Sequence, residues 1–155
     1  MQAYRALKNM AHESKNHRQE LAFFAMELMA EHEYKDNHLN SLMINLYEIF
    51  SDFGQSVFKP SAWLFFTMIF FTIGYQHISA TQNTLLAFFY SLSNCLPFGG
   101  LWRQSEYLFQ QLFPHAESWS YFQKFAYYTL VTFNGLLGFI FIFLIGLGLR
   151  NRFRL

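Results

Sequence analysis

Lys124-Phe-Ala-Tyr-Tyr-Thr-Leu-Val-Thr-Phe-Asn-Gly-Leu-Leu-Gly-Phe-Ile-Phe-Ile-Phe-Leu-Ile-Gly-Leu-Gly-Leu-Arg-Asn-Arg-Phe-Arg-Leu155 closes the chain and decides its fold. From Phe125 to Leu149 no residue carries a charge, and Arg150, Arg152 and Arg154 then follow in quick succession. A helix over that stretch rises about 37 Å, enough to cross a hydrocarbon core of about 30 Å with some tilt. A soluble domain of 155 residues rarely has room to bury a helix that is apolar on every side. The pattern implies a membrane.

Whole-chain averages conceal this. Net charge is +1 and mean hydropathy only +0.11. Eight of the ten acidic residues, however, precede Pro60, leaving only Glu106 and Glu117 beyond it. A charged, water-facing first third is thus joined to an apolar remainder. The 21 phenylalanines and nine tyrosines suit lipid-facing surfaces and interfacial belts. With no basic cluster outside the C-terminus, nucleic acid is not an expected partner. The single cysteine, Cys95, excludes an intramolecular disulfide and gives no metal-site spacing. The N-terminus lacks the apolar core of a signal peptide, so the first hydrophobic segment is expected to act as its own insertion signal.

Residues 2–11 and 17–35 read as two short helices around the polar turn Glu13-Ser-Lys-Asn16, a helical hairpin. In the second, Leu21, Phe24, Ala25, Leu28 and Met29 recur at helical spacing, with Arg18, Glu20, Glu27 and Glu31 expected outside. Asp36-Asn-His-Leu-Asn-Ser41 breaks the pattern. A third helix carries Leu42, Leu46, Ile49, Phe50 and Phe53 on one side and ends near Gly54. Lys59-Pro60 marks the membrane boundary, because proline is tolerated at a helix's first position, where its missing N–H has no partner anyway. Residues 60–79 form the first expected span, with Trp63 and Tyr75 suited to the two interfaces. Thr84 to Phe98 is apolar for only about a dozen residues before meeting Ser93, Asn94 and Pro97, a length typical of a re-entrant or interfacial helix. Arg103 to Gln123 reads as a polar, aromatic connection at the membrane surface. Residues 125–149 form the second span.

Orientation follows the basic residues. Lys59 precedes the first span, and Arg150, Arg152 and Arg154 follow the second, which places both termini in the cytoplasm if the middle segment turns back.

Two segments could carry chemistry. Thr72-Ile-Gly-Tyr75 resembles a potassium-channel filter, but it ends an apolar segment rather than following a pore helix, and Gln76 stands where the filter has glycine. A helix end is the better account. Ser91-Leu-Ser-Asn-Cys-Leu-Pro-Phe98 is the better pore element, since irregular backbone at membrane depth needs protein or water to cover it. Ser91, Ser93 and Asn94, with Asn134 of the last span, are the candidate pore-lining residues. Gly135, Gly138 and Gly146 share one face of that span and would allow close helix packing, expected here between sister subunits. The six histidines lack ligand spacing, and no carboxylate lies within an apolar run. No metal, cofactor or enzymatic activity is expected.

Several phrases, in order, resemble a family of bacterial membrane proteins in which this module commonly follows pentapeptide repeats. They are Tyr4-Arg-Ala-Leu-Lys8, Phe23-Phe24 to Glu27-Leu28, Ser51-Asp-Phe-Gly-Gln-Ser56 with Lys59-Pro60, Ser91-Leu-Ser-Asn94 with Leu96-Pro-Phe98, and Leu149-Arg-Asn-Arg-Phe-Arg154. The resemblance implies a two-span, ion-channel-like arrangement: helical cytoplasmic hairpin, span, pore-like re-entrant helix, span. Two departures stand. No pentapeptide repeats precede Met1, as in a stand-alone version or a C-terminal piece, and no potassium filter occupies the re-entrant position, so ion selectivity does not carry over.

The expectation is therefore an all-α integral membrane protein of two regions. Residues 1–54 form a cytoplasmic helical region, and 55–155 a transmembrane channel-like domain with a re-entrant helix at about 84–98. Its expected setting is the cell inner membrane, as a homo-oligomeric pore. The alternative is a non-conducting anchor that recruits a cytoplasmic protein partner through its N-terminal helices.

Overall fold

The computed structural model describes residues 2–34, 38–79, 83–96 and 101–153. Asp36 and Asn37 of the expected helix break, Pro97 and Phe98 of the expected pore loop, and Arg154 of the arginine cluster lie outside the described residues, as do the side chains of 32–34 and 101–103. The described structure is all-helical. Its α-helices are α1 (Gln2–Glu13), α2 (His17–Tyr34), α3 (His38–Ser51), α4 (Phe58–Ile78), α5 (Thr84–Cys95), α6 (Leu101–Leu112) and α7 (Tyr121–Phe153), with a 3-10 turn at Ala116–Ser118. One of them, α7, is long and apolar enough to cross a membrane by length and composition. Within the chain, 22% of its most apolar stretch is buried. α4 has 21 residues, about 31 Å of helix, but includes Lys59, Gln76 and His77.

The residues form two compact units, Met1–Pro60 with Leu144–Leu155, and Ser61–Phe143. In the first, α1 and α2 form the expected hairpin. Lys15 takes a left-handed conformation (φ 56°), while the Asn16 and Lys15 amides donate to the Ala11 and His12 carbonyls at 2.9 and 3.0 Å. This is the Schellman closure, with lysine where glycine is usual. Asn16 then caps α2, its Oδ1 accepting from the Gln19 amide at 3.3 Å. Glu27, expected on the outer face, instead turns inward and is 8% exposed. It accepts from Arg5 Nε and Lys8 Nζ, each at 2.6 Å. Sequence spacing alone could not reveal this, because the partners lie on the other helix.

After α3 the chain turns through three consecutive left-handed residues, Asp52, Phe53 and Gly54 (φ 55°, 54° and 74°). Ser51 is the pivot: its Oγ donates to the Tyr47 carbonyl at 2.9 Å and accepts from the Gly54 amide at 3.1 Å. A Cβ on Gly54 would lie 2.2 Å from Leu147 Cδ2 and 2.7 Å from the Tyr47 hydroxyl, so both conformation and space require glycine. Asn151 of α7 closes the turn by donating from Nδ2 to the Gly54 carbonyl at 3.0 Å.

In the second unit, α5 and α6 form a helical hairpin whose two ends meet the same end of α4. Gln76 Nε2 donates to Thr84 Oγ1 at 2.6 Å, at the start of α5. Ser79 Oγ donates to the Leu112 carbonyl at 2.7 Å, at the end of α6. Asn83 caps α5 through the Leu86 amide at 3.2 Å. Where sequence reading placed a surface connection, α6 is a regular helix that buries Leu112 and presents Gln104, Glu106, Gln110 and Gln111 outward. Leu101, Leu108, Phe109 and Leu112 carry the helical spacing that marks it.

Hydrogen bonds from Lys8 and Arg5 hold the Glu27 carboxyl below its ordinary pKa of 4.5. A depressed folded-state value means stability that is full above the unfolded pKa and lost as pH falls through the folded one. Acid titration followed by backbone amide exchange should therefore show α1 and α2 loosening below about pH 4.5. Glu27→Gln should cost about 1 kcal/mol at neutral pH and flatten that dependence.

Candidate functional site

Asn134 is an amide on the apolar helix α7, and it is fully buried. Leaving such a group unbonded costs several kcal/mol, roughly, away from water. The α5–α6 hairpin supplies its partners, together with α4. Asn134 Nδ2 donates to the Tyr75 hydroxyl at 3.1 Å and lies 3.3 Å from both the carbonyl and the Oγ of Ser91. Its Oδ1 accepts from Cys95 Sγ at 2.8 Å. Ser91 Oγ in turn donates to the Met68 carbonyl of α4 at 3.1 Å, and Asn94 Nδ2 donates to Tyr75 at 3.4 Å. Three helices are thus tied at one point. Among the described residues no buried side-chain nitrogen or oxygen lacks a partner.

Gly138 lets α5 reach this point. A Cβ there would stand 2.6 Å from the Cys95 carbonyl oxygen and 2.7 Å from its Cα, closer than atoms can pack. A Cβ on Gly135 would lie 3.6 Å from the Asn94 carbonyl oxygen, an ordinary contact, and one on Gly146 would meet nothing within 4 Å. The close approach expected between sister subunits is therefore made at Gly138 within the chain.

Around the knot lies an aromatic shell. Phe71, Tyr75, Tyr90, Leu112 and Phe113 are buried together, with Phe109, Trp119 and Tyr127 packed against them. The rings of Tyr75 and Tyr90 meet edge-on at 5.0 Å, as do those of Phe113 and Trp119 at 5.1 Å. The Tyr90 and Tyr127 hydroxyls are hydrogen-bonded to each other, joining α5 to α7. Tyr75, expected as an interfacial anchor, is instead a buried acceptor. Its segment Thr72–Tyr75 lies within α4, where the Tyr75 carbonyl accepts from the Ser79 amide at 2.9 Å, so no filter-like ring of free carbonyls forms there.

Of the four candidate pore-lining residues, Ser91 and Asn134 are enclosed in this network and serve as ties. Ser93 is buried and donates to the Tyr90 carbonyl at 2.8 Å, yet borders a 240 Å³ cavity with Phe89, Leu92, Gln104 and Leu108. Asn94 is half-buried. Lys59 pairs with Asp52 at 2.8 Å, and Arg150 and Arg152 are exposed in the last turns of α7. Tyr90, Cys95 and Tyr127 were missed as ties by sequence reading, because each looks like an ordinary apolar-run residue until the hairpin brings them together. No protein-family model, curated protein or solved structure matches the chain.

Gly138→Ala should cost about 1–3 kcal/mol, because the Cys95 backbone must move. Gly146→Ala should be neutral or gain up to about 1 kcal/mol from helix propensity. Thermal unfolding in detergent compares the two. In the same assay Asn134→Leu should lower stability by about 1–3 kcal/mol, since Ser91 and Cys95 lose their shared partner.

Proposed function

We propose that the chain is a two-span, ion-channel-like membrane protein that assembles as a homo-oligomer, with both termini in the cytoplasm. The observation that carries this is the α5–α6 hairpin, whose ends both sit beside the end of α4. A 12-residue α5 reaches about 18 Å, roughly half a bilayer, before the chain returns. This favours re-entry over crossing. Exposed Phe65, Phe66, Phe70 and Ile73 on α4 give it a lipid-facing side like that of α7, with its exposed Phe133, Phe139 and Phe143, and so favour α4 as the second span. The presence of Leu144–Leu155 in the same compact unit as the N-terminal helices favours termini on one side, and the arginines favour the cytoplasmic one.

The hairpin also has a polar side with no use inside one chain. Gln104, Glu106 and Gln110 of α6 face outward, and in this topology they lie at membrane depth, where lipid contact is costly. A ring of subunits turns these faces toward a shared water path, with Glu106 favouring cations. Ser93, which shares a 240 Å³ cavity with Gln104, is the residue of α5 that borders this side of the hairpin. Purified protein in liposomes should pass small cations, and Glu106→Gln should reduce the preference for cations over anions. Liposomes that pass no cation, anion or small solute at any voltage would contradict conduction.

A second reading has its own support. α3 leaves Leu39, Leu42, Met43 and Ile49 exposed, an apolar stripe suited to a partner helix. In that reading the chain anchors and recruits a cytoplasmic protein.

A further inference from the structure

Two phrases singled out in the sequence, Ser51–Ser56 and Leu149–Arg154, meet in the first compact unit at the Asn151–Gly54 hydrogen bond. Beside that bond is a cavity of about 590 Å³. Its walls come from the start of α2, the left-handed turn, the first residue of α4 and the end of α7. From this geometry we infer that the cavity holds the phosphate-bearing headgroup of an acidic phospholipid.

The charges in the cavity select an anion. Arg18 and Arg152 line it, and neither forms an ion pair among the described residues. The acids nearby are already engaged. Asp52 pairs with Lys59 at 2.8 Å, and Glu20 accepts from His12 and His17 at 3.1 and 3.0 Å. Two guanidinium groups, each able to make paired N–H···O bonds, suit a phosphate better than a point charge would. Gln55, Ser56 and Asn151 add polar groups to the same wall.

The rim selects a lipid over free phosphate. Val57 and Phe58 complete the lining, and Phe58 is 81% exposed. Both belong to the point where the chain enters α4, so an apolar edge stands beside a basic pocket at the expected headgroup level. That pairing of basic cradle and apolar edge matches an amphipathic ligand. Asn151 and Gln55 hold the cradle in shape, since Gln55 Nε2 donates to the Leu21 carbonyl at 3.1 Å and ties the turn to α2. This site is independent of conduction and requires only that the chain sits in a bilayer.

The test is native mass spectrometry of the full chain released from nanodiscs of equal phosphatidylglycerol and phosphatidylcholine. Retained phosphatidylglycerol adducts are expected. Arg18→Gln and Arg152→Gln should each weaken retention about tenfold. Arg150→Gln removes the same charge from the same helix end without lining the cavity, and it should leave retention unchanged. Circular dichroism of each variant confirms that it is folded. Equal retention of the two lipids, adducts that survive both cavity variants, or an equal loss in Arg150→Gln would overturn the proposal. Inorganic phosphate that displaces the lipid only through Arg18 and Arg152 supports the cradle. Phosphate bound there with no preference among lipids overturns the headgroup assignment.

Discussion

The amide of Asn134 imposes the arrangement of the second unit. It is fully buried, and an unbonded buried amide is costly. Its donors and acceptor are all used, by Tyr75 of α4 and by Ser91 and Cys95 of α5. Those bonds need α5 to come within backbone contact of α7, and Gly138 is the residue that permits it. Once α5 is held there, the chain has to return, and the aromatic shell of Tyr90, Phe109, Phe113 and Trp119 fills the space that the returning segment encloses. Packing and hydrogen bonding therefore specify one hairpin geometry together, where neither would alone.

The first unit obeys a different rule. There specificity comes from charge and turn chemistry. Glu27 draws Arg5 and Lys8 across the α1–α2 hairpin, and Asn151 closes a turn of three left-handed residues that only a glycine at position 54 can complete. Such a turn is costly for Asp52 and Phe53, and it persists because Ser51, Gln55 and Asn151 all hold it.

What was legible in the sequence follows from which signals are local. Helix periods, the Glu13–Asn16 turn, the Gly54 stop and the long apolar α7 are written in neighbouring residues, and they appear in the structure. Asn134 was also legible as a polar residue of the last span, read there as a pore-lining candidate. The identity of its partners was not, because Tyr75, Ser91 and Cys95 come from two other helices and have no pattern in common. Glu27 misled for the same reason: a carboxylate on a helix reads as solvated until its cross-helix cations are known. α6 was overlooked because Arg103, Glu106 and Glu117 outweighed a real apolar stripe. Charge was read as surface, when it marks only one face of a helix.

In the proposed topology α5 and α6 enter and leave on one side of the membrane, held by Asn134. Single cysteines at Thr84 and Gln111, read with a membrane-impermeant maleimide in oriented vesicles, test it most directly. Cys95 is buried and stays silent in the background. Both positions should label from the same side, opposite to a cysteine at Arg150. Labelling of Thr84 and Gln111 from opposite sides would contradict the hairpin and the topology built on it.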